Sequence, residues 1–209
     1  MTFILKTMRR ALFDHRIRQM RAAFHAACAP FFQELEDVKQ EADDFQRRVD
    51  AGSAQWEEYD EETGAGRHYG EEFGERRLEA EAALLLVRKA FVVVIYHLWE
   101  RGARRWVPQA RKKPNHADLV AALTEALIVI DKAGLEELRL LVNCLKHNSE
   151  YARKLYVLRR DLFEGDFDPD SIHPATGKPF MNIDWAEKVM LTGDNVEHYF
   201  QVVQNSGPK

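Results

Sequence analysis

Apolar side chains recur at the three- and four-residue spacing of an α-helix along almost the whole chain, and no clear alternating run typical of a strand competes. The first stripe steps by four, three, four and four residues through Phe13, Ile17, Met20, Phe24 and Cys28. Short links between long amphipathic helices favour antiparallel neighbours. The pattern therefore predicts an all-α fold, with a single antiparallel helical bundle that occupies residues 1–209 as one domain.

Proline and glycine divide this pattern into segments. Pro30 interrupts the first stripe and is expected to open a second helix, because proline is tolerated in a first helical turn, and Gly52 ends that helix. The apolar pattern resumes near Glu75 and continues to Trp99. Further helices are predicted from Asn115, a capping residue, to a stop at Gly134, then over 135–149, 151–160 and 184–204.

Two segments lack helical periodicity. Residues 52–74 contain five glycines and many acidic side chains, which predicts a long acidic, glycine-rich loop insertion. Residues 161–182 contain three prolines, which predicts a loop before the C-terminal helix. We expect both segments to lie at the surface.

The longest uninterrupted apolar run covers residues 90–96 and predicts the most buried helix. Its length is far below the roughly 18–20 residues that cross a bilayer, so no membrane segment is expected. Lys6 and Arg9 break the apolar start of the chain, so we expect no export signal. Cys28 and Cys144 both fall within helical patterns, so we expect reduced thiols and a cytoplasmic location.

The net charge of −4 conceals a strong segregation of charge along the chain. Residues 34–81 carry 17 acidic and six basic side chains, whereas residues 1–27 carry six basic side chains and one acidic one. Residues 101–113 carry six basic side chains and no acid. Such basic segments either meet a polyanion or pair with the acidic stretch of the same chain, and both readings stay open.

The helix after Gly134 carries the most informative polar stripe. Its members share one side of the helix because they are three or four residues apart: Glu136, Arg139, Asn143, Lys146, His147 and Glu150. The string from Val142 to His147 resembles the signature of the HEPN superfamily (higher eukaryotes and prokaryotes nucleotide-binding), which is an arginine followed within a few residues by histidine. Asn143 and His147 match its polar and histidine positions, whereas Val142 stands at the arginine position.

The resemblance implies metal-independent RNA cleavage by a homodimer with a composite site, in a bacterial toxin, antitoxin-controlled or phage-defence system. By this resemblance His147 is the acid–base catalyst, Asn143 orients it, and Arg139 and Lys146 contact phosphate. Four further cations are candidates for RNA binding along the backbone: Arg153, Lys154, Arg159 and Arg160. An antitoxin or another defence protein is a possible partner.

The alternative function follows from Val142, because a HEPN-like fold without the arginine can persist as a catalytically inactive module that binds another protein. A weaker option is DNA binding through residues 101–113, although a connector bounded by prolines makes a poor recognition helix. No phosphate-binding loop, dinucleotide fingerprint, nucleophile elbow or zinc-ligand spacing occurs in the sequence. We therefore expect no metal and no organic cofactor.

Overall fold

The structure is a computed structural model that describes residues 3–59, 66–107, 113–147, 150–172 and 183–208. Seven α-helices and one two-stranded sheet lie within these ranges, which confirms the predicted all-α class. The chain divides into two compact units, a larger one of residues 1–22 and 88–209 and a smaller one of residues 23–87. Two compact units can belong to one domain, so the single domain over 1–209 stays a prediction.

The smaller unit is an antiparallel pair of helical segments closed by a short hairpin. It contains parts of α1 (Phe3–Asp50) and α2 (Tyr69–Trp106), joined through β1 (Glu57–Tyr59) and β2 (Gly66–His68). The ring of Phe45 lies 4.5–5.9 Å from three other rings at this end of the unit, those of Trp56, Tyr69 and Phe73. This aromatic cluster holds the start of α2 against the end of α1.

Helix α1 is continuous across Pro30, so the prediction of a second helix opening there is wrong. Proline inside a helix removes one backbone hydrogen bond and costs roughly 3 kcal/mol. The compensating feature is an apolar seam that continues through the proline at alternating steps of four and three residues: Phe24, Cys28, Phe31, Leu35, Val38, Ala42 and Phe45. A break at Pro30 would separate the two halves of this seam.

The segment predicted as a loop over 52–74 holds the hairpin and the first turns of α2, since α2 begins at Tyr69. The glycines and acidic residues of this segment predict a loop, whereas Tyr69 and Phe73 share one helical face that packs toward Phe45. The predicted end of α1 is confirmed, because Gly52 has a φ of +72° and accommodates the left-handed turn after the helix.

The larger unit is built around α4 (Lys132–Lys146). Leu135, Leu138 and Leu141 of α4 have no exposed surface. The larger unit also contains the first turns of α1, the last turns of α2 and five shorter elements: α3 (His116–Glu125), α5 (Glu150–Leu158), a 3₁₀ turn (Arg160–Leu162), α6 (Trp185–Lys188) and α7 (Gly193–Asn205). The predicted cap of α3 is confirmed, because the Asn115 side chain accepts from the Asp118 backbone N–H at 2.9 Å.

Two other sequence expectations are wrong in the larger unit. Helix α3 ends at Glu125, and Gly134 lies in the first turn of α4, where its backbone N–H donates to the Asp131 side chain at 2.9 Å. The apolar run over 90–96 does not make α2 the most buried helix, since Val94 is 42% exposed whereas α4 buries seven of its 15 residues. The helix predicted over 184–204 is interrupted, because Thr192 caps a new helix at Gly193, a glycine at which the sequence allows a break. Residues 173–182 of the predicted loop over 161–182 lie outside the described residues.

Within the described ranges, no helix combines the length and the apolar character that a bilayer crossing needs. Both cysteine side chains are buried, Cys28 in the smaller unit and Cys144 in the larger. Burial raises the pKa of the Cys144 thiol to about 12.

We predict that Gly134→Ala lowers the free energy of unfolding by about 1–3 kcal/mol, because the new methyl group would lie 2.6 Å from Val202 of α7. Gly74→Ala is the control, since α2 offers open space there, and alanine should raise stability by about 0.5–1 kcal/mol. Urea denaturation of both variants measures the contrast. Equal stabilities would contradict the tight contact between α4 and α7.

Candidate functional site

His147 lies directly after α4 and is the capping residue at its carboxyl end. Its backbone N–H donates to the Asn143 carbonyl at 2.9 Å, and its ring is exposed. Lys146 is also exposed and Asn143 is half-buried. No described residue forms a hydrogen bond or an ion pair with the His147 ring. The helix thus presents histidine, lysine and asparagine within its last turn.

Arg139 lies two turns earlier on α4 and is already paired. Its guanidinium donates two hydrogen bonds to the Glu136 carboxylate, at 2.8 and 2.6 Å, and lies over the ring of Tyr151 from α5. This pair lowers the pKa of Glu136 below its ordinary value. The Lys154 ammonium lies 5.5 Å from the centre of the same Tyr151 ring. The structure therefore brings Arg139 and Lys154 together around Tyr151, and the Arg139 charge is largely offset by Glu136.

The other predicted RNA-binding arginines have partners within the chain. Arg153 forms an ion pair with Asp170 at 3.0 Å. Arg159 pairs with Glu137 and with Asp161, whose pKa it holds below the usual range. Arg160 donates to four backbone carbonyls, those of residues 163, 164, 165 and 167. The contacts of Arg159 and Arg160 stabilise the turn after α5, whereas Arg153 is exposed and pairs with Asp170 through Nη1. RNA binding by these three arginines stays a prediction.

A second polar cluster was missed by the sequence analysis. The hydroxyl of Tyr96 lies 3.0 Å from Nδ1 of His116, and His116 Nε2 lies 3.7 Å from a Glu136 oxygen. A neutral imidazole can form both contacts when Nδ1 accepts a hydrogen bond from the Tyr96 hydroxyl and the hydrogen on Nε2 points toward Glu136. The His116 ring also lies 5.3 Å from that of Trp99, which is fully buried.

This cluster joins three helices, because Tyr96 belongs to α2, His116 to α3 and Glu136 to α4. Burial lowers the pKa of His116 to about 4 and raises the pKa of Tyr96 above its ordinary value. Glu136 contacts both His116 and Arg139, so it connects this cluster to the polar face of α4. The only sequence signal was the position of His116 directly after a capping asparagine.

Among the described residues, no group of three histidine, cysteine, aspartate or glutamate side chains could hold a metal ion. Comparison with protein-family models, with curated proteins and with solved structures gave no match for this chain. The resemblance to the HEPN signature therefore rests on the residues from Val142 to His147 and on no matched protein.

We predict that His116 makes the larger unit sensitive to acid. The unfolded chain takes up a proton near pH 6.5, whereas folded His116 resists it until about pH 4, so stability falls as the pH drops through this window. The difference in unfolding free energy between wild type and His116→Gln should narrow by about 2 kcal/mol from pH 7.5 to pH 5.

Denaturation curves at both pH values measure this change. The matched control is His15→Gln, because His15 is exposed on α1 and its replacement should leave the pH dependence unaltered. A wild-type-to-variant difference that is constant with pH would refute the assignment for His116.

Proposed function

We propose that the chain is a metal-independent endoribonuclease in which His147 supplies acid–base catalysis and two subunits share a composite site. The observation that carries the proposal is the exposed His147 ring at the end of α4, beside exposed Lys146 and one turn after Asn143. Histidine is the side chain that ordinarily changes charge between pH 5 and 8, which suits proton transfer at neutral pH.

The chemistry needs only groups of these types. A base removes the proton from a ribose 2′-hydroxyl, and the 2′-oxygen attacks the adjacent phosphorus. The bond from phosphorus to the 5′-oxygen breaks, and an acid returns a proton to that oxygen. The products carry a 2′,3′-cyclic phosphate and a 5′-hydroxyl. One imidazole can act as base and a second as acid, which is the reason for a homodimer that brings together His147 from two copies.

The cations for the phosphate are Lys146 and Lys154 rather than Arg139. Lys146 is exposed, and Lys154 lies over Tyr151 without an ion pair to a described residue. The Arg139 guanidinium is held by Glu136, so its proposed role is to fix Tyr151 and the polar face of α4. Two lysines per subunit supply positive charge where negative charge develops in the transition state.

The resemblance to the HEPN superfamily extends this proposal to a toxin or phage-defence role in the cytoplasm. An antitoxin or another protein of the same system is then the expected partner. The RNA target would be selected by surfaces other than the catalytic turn, since a histidine and two lysines distinguish no sequence.

We predict that His147→Ala reduces the rate of RNA cleavage by about 10²–10⁴-fold, because it removes the proton-transfer group. Purified protein is assayed with labelled RNA in the presence of EDTA, and mass spectrometry identifies the cyclic phosphate. His198→Ala is the matched control, because His198 is an exposed histidine on α7 outside the motif. Retention of full cleavage by His147→Ala would exclude this catalytic assignment.

A second candidate is the inactive interaction module, and a specific observation favours it. Arg139, Arg153 and Arg159 all pair with carboxylates of the same chain, so part of the positive charge of the predicted site is offset within the chain. In this case the polar face of α4 binds a protein partner. Wild-type protein that cleaves no RNA under chelation, yet folds and assembles normally, would support the module over the nuclease.

A further inference from the structure

Two basic segments that are far apart in the sequence meet in one groove of the larger unit. The groove has a volume of about 400 Å³ and runs between the first turns of α1 and the end of α2. Its rim carries three arginines and its floor three apolar side chains: Arg9, Arg16 and Arg105 above Leu12, Phe13 and Trp106. Among the residues that the structure describes, no acidic side chain lines it. Its volume lies within the range of about 300–1,000 Å³ that is typical of small-ligand sites.

The floor is fixed by close contacts around Trp106. A Cβ atom at Gly102 would lie 2.8 Å from this ring, and a Cβ atom at Gly207 would lie 3.2 Å from it. The rings of Phe13 and Trp106 form a T-shaped contact with a centroid distance of 4.6 Å and an interplanar angle of 87°. The indole is therefore enclosed by two glycines and one aromatic ring, which sets its orientation before any ligand arrives.

Two of the three rim arginines, Arg16 and Arg105, differ from the neighbouring Arg10 in their contacts within the described part of the chain. Arg10 pairs with Asp14 at 2.6 Å and donates to the Pro208 carbonyl at 3.2 Å. Arg16 and Arg105 are exposed and form no ion pair or hydrogen bond with a described residue. Their charges are directed to solvent across an apolar floor. An anionic ligand with a flat apolar part complements both features.

We infer that this groove binds a nucleotide unit of single-stranded RNA, with phosphate at Arg16 and Arg105 and an unpaired base against Trp106 and Leu12. The guanidinium fork matches phosphate oxygens, and aromatic side chains bind the faces of unpaired bases. A duplex hides those faces. The inference deepens the proposed function and rests on it for the choice of RNA among polyanions, because a nuclease needs a surface that binds its substrate.

The test measures binding of a fluorescent, 2′-O-methylated single-stranded RNA to the full chain, because the methyl group blocks cleavage and separates binding from catalysis. The Arg16→Ala/Arg105→Ala double variant should raise the dissociation constant at least tenfold. Loss of two phosphate contacts should also reduce the slope of log K against log salt by about 1.4. Leu12→Glu, at a side chain that is 57% exposed, should weaken binding without disturbing the fold.

The matched control is the Arg18→Ala/Arg77→Ala double variant, which removes the same charge from exposed positions outside the groove and should bind almost as wild type does. Equal affinities for the two double variants would overturn the inference. Displacement of the RNA by polyglutamate at equal charge concentration would overturn it as well, in favour of an acidic peptide. Full RNA cleavage by His147→Ala would refute only the proposed nuclease mechanism. Wild-type RNA affinity of the groove variants would refute only the groove as an RNA-binding site.

Discussion

The burial of one face of α4 determines what the larger unit presents at its candidate site. Leu135, Leu138 and Leu141 are fully buried, so the helix has one rotational setting in which Asn143 is half-exposed and Lys146 reaches solvent. The close approach of α7 at the first turn of α4 fixes the position of the helix along its axis. A change in the buried face would therefore shift the turn that carries Asn143, Lys146 and His147 without touching any residue in it.

Ion pairs with nearby carboxylates determine which cationic side chains of this chain can contact a ligand. Sequence spacing predicts only some of these pairs. The pair between Glu136 and Arg139 spans three residues of one helix, so spacing alone could have predicted it. The partners of Arg153 and Arg159 include Asp170 and Glu137, which only the folded chain brings near. The cluster at His116 depends on three helices and had no sequence pattern of its own.

Sequence predictions were correct for features that depend only on neighbouring residues. They were wrong where a tertiary contact favoured a different local structure. The cap at Asn115 and the turn at Gly52 were correct because they need only neighbouring residues. Pro30 indicated a helix start, yet the apolar seam on both sides of it favours one continuous helix. Gly134 indicated a helix end, whereas glycine is needed there because a side chain of α7 occupies the space that a Cβ atom would take.

The two buried thiols have a practical consequence. Cys28 is 2% exposed in the smaller unit and Cys144 is fully buried in the larger, so a thiol-specific alkylating reagent reaches each sulfur only when its own unit opens. The high pKa of Cys144 slows its reaction further in the native state. Mass spectrometry of alkylated peptides would thus report the opening of each unit separately, because each unit contains one natural cysteine.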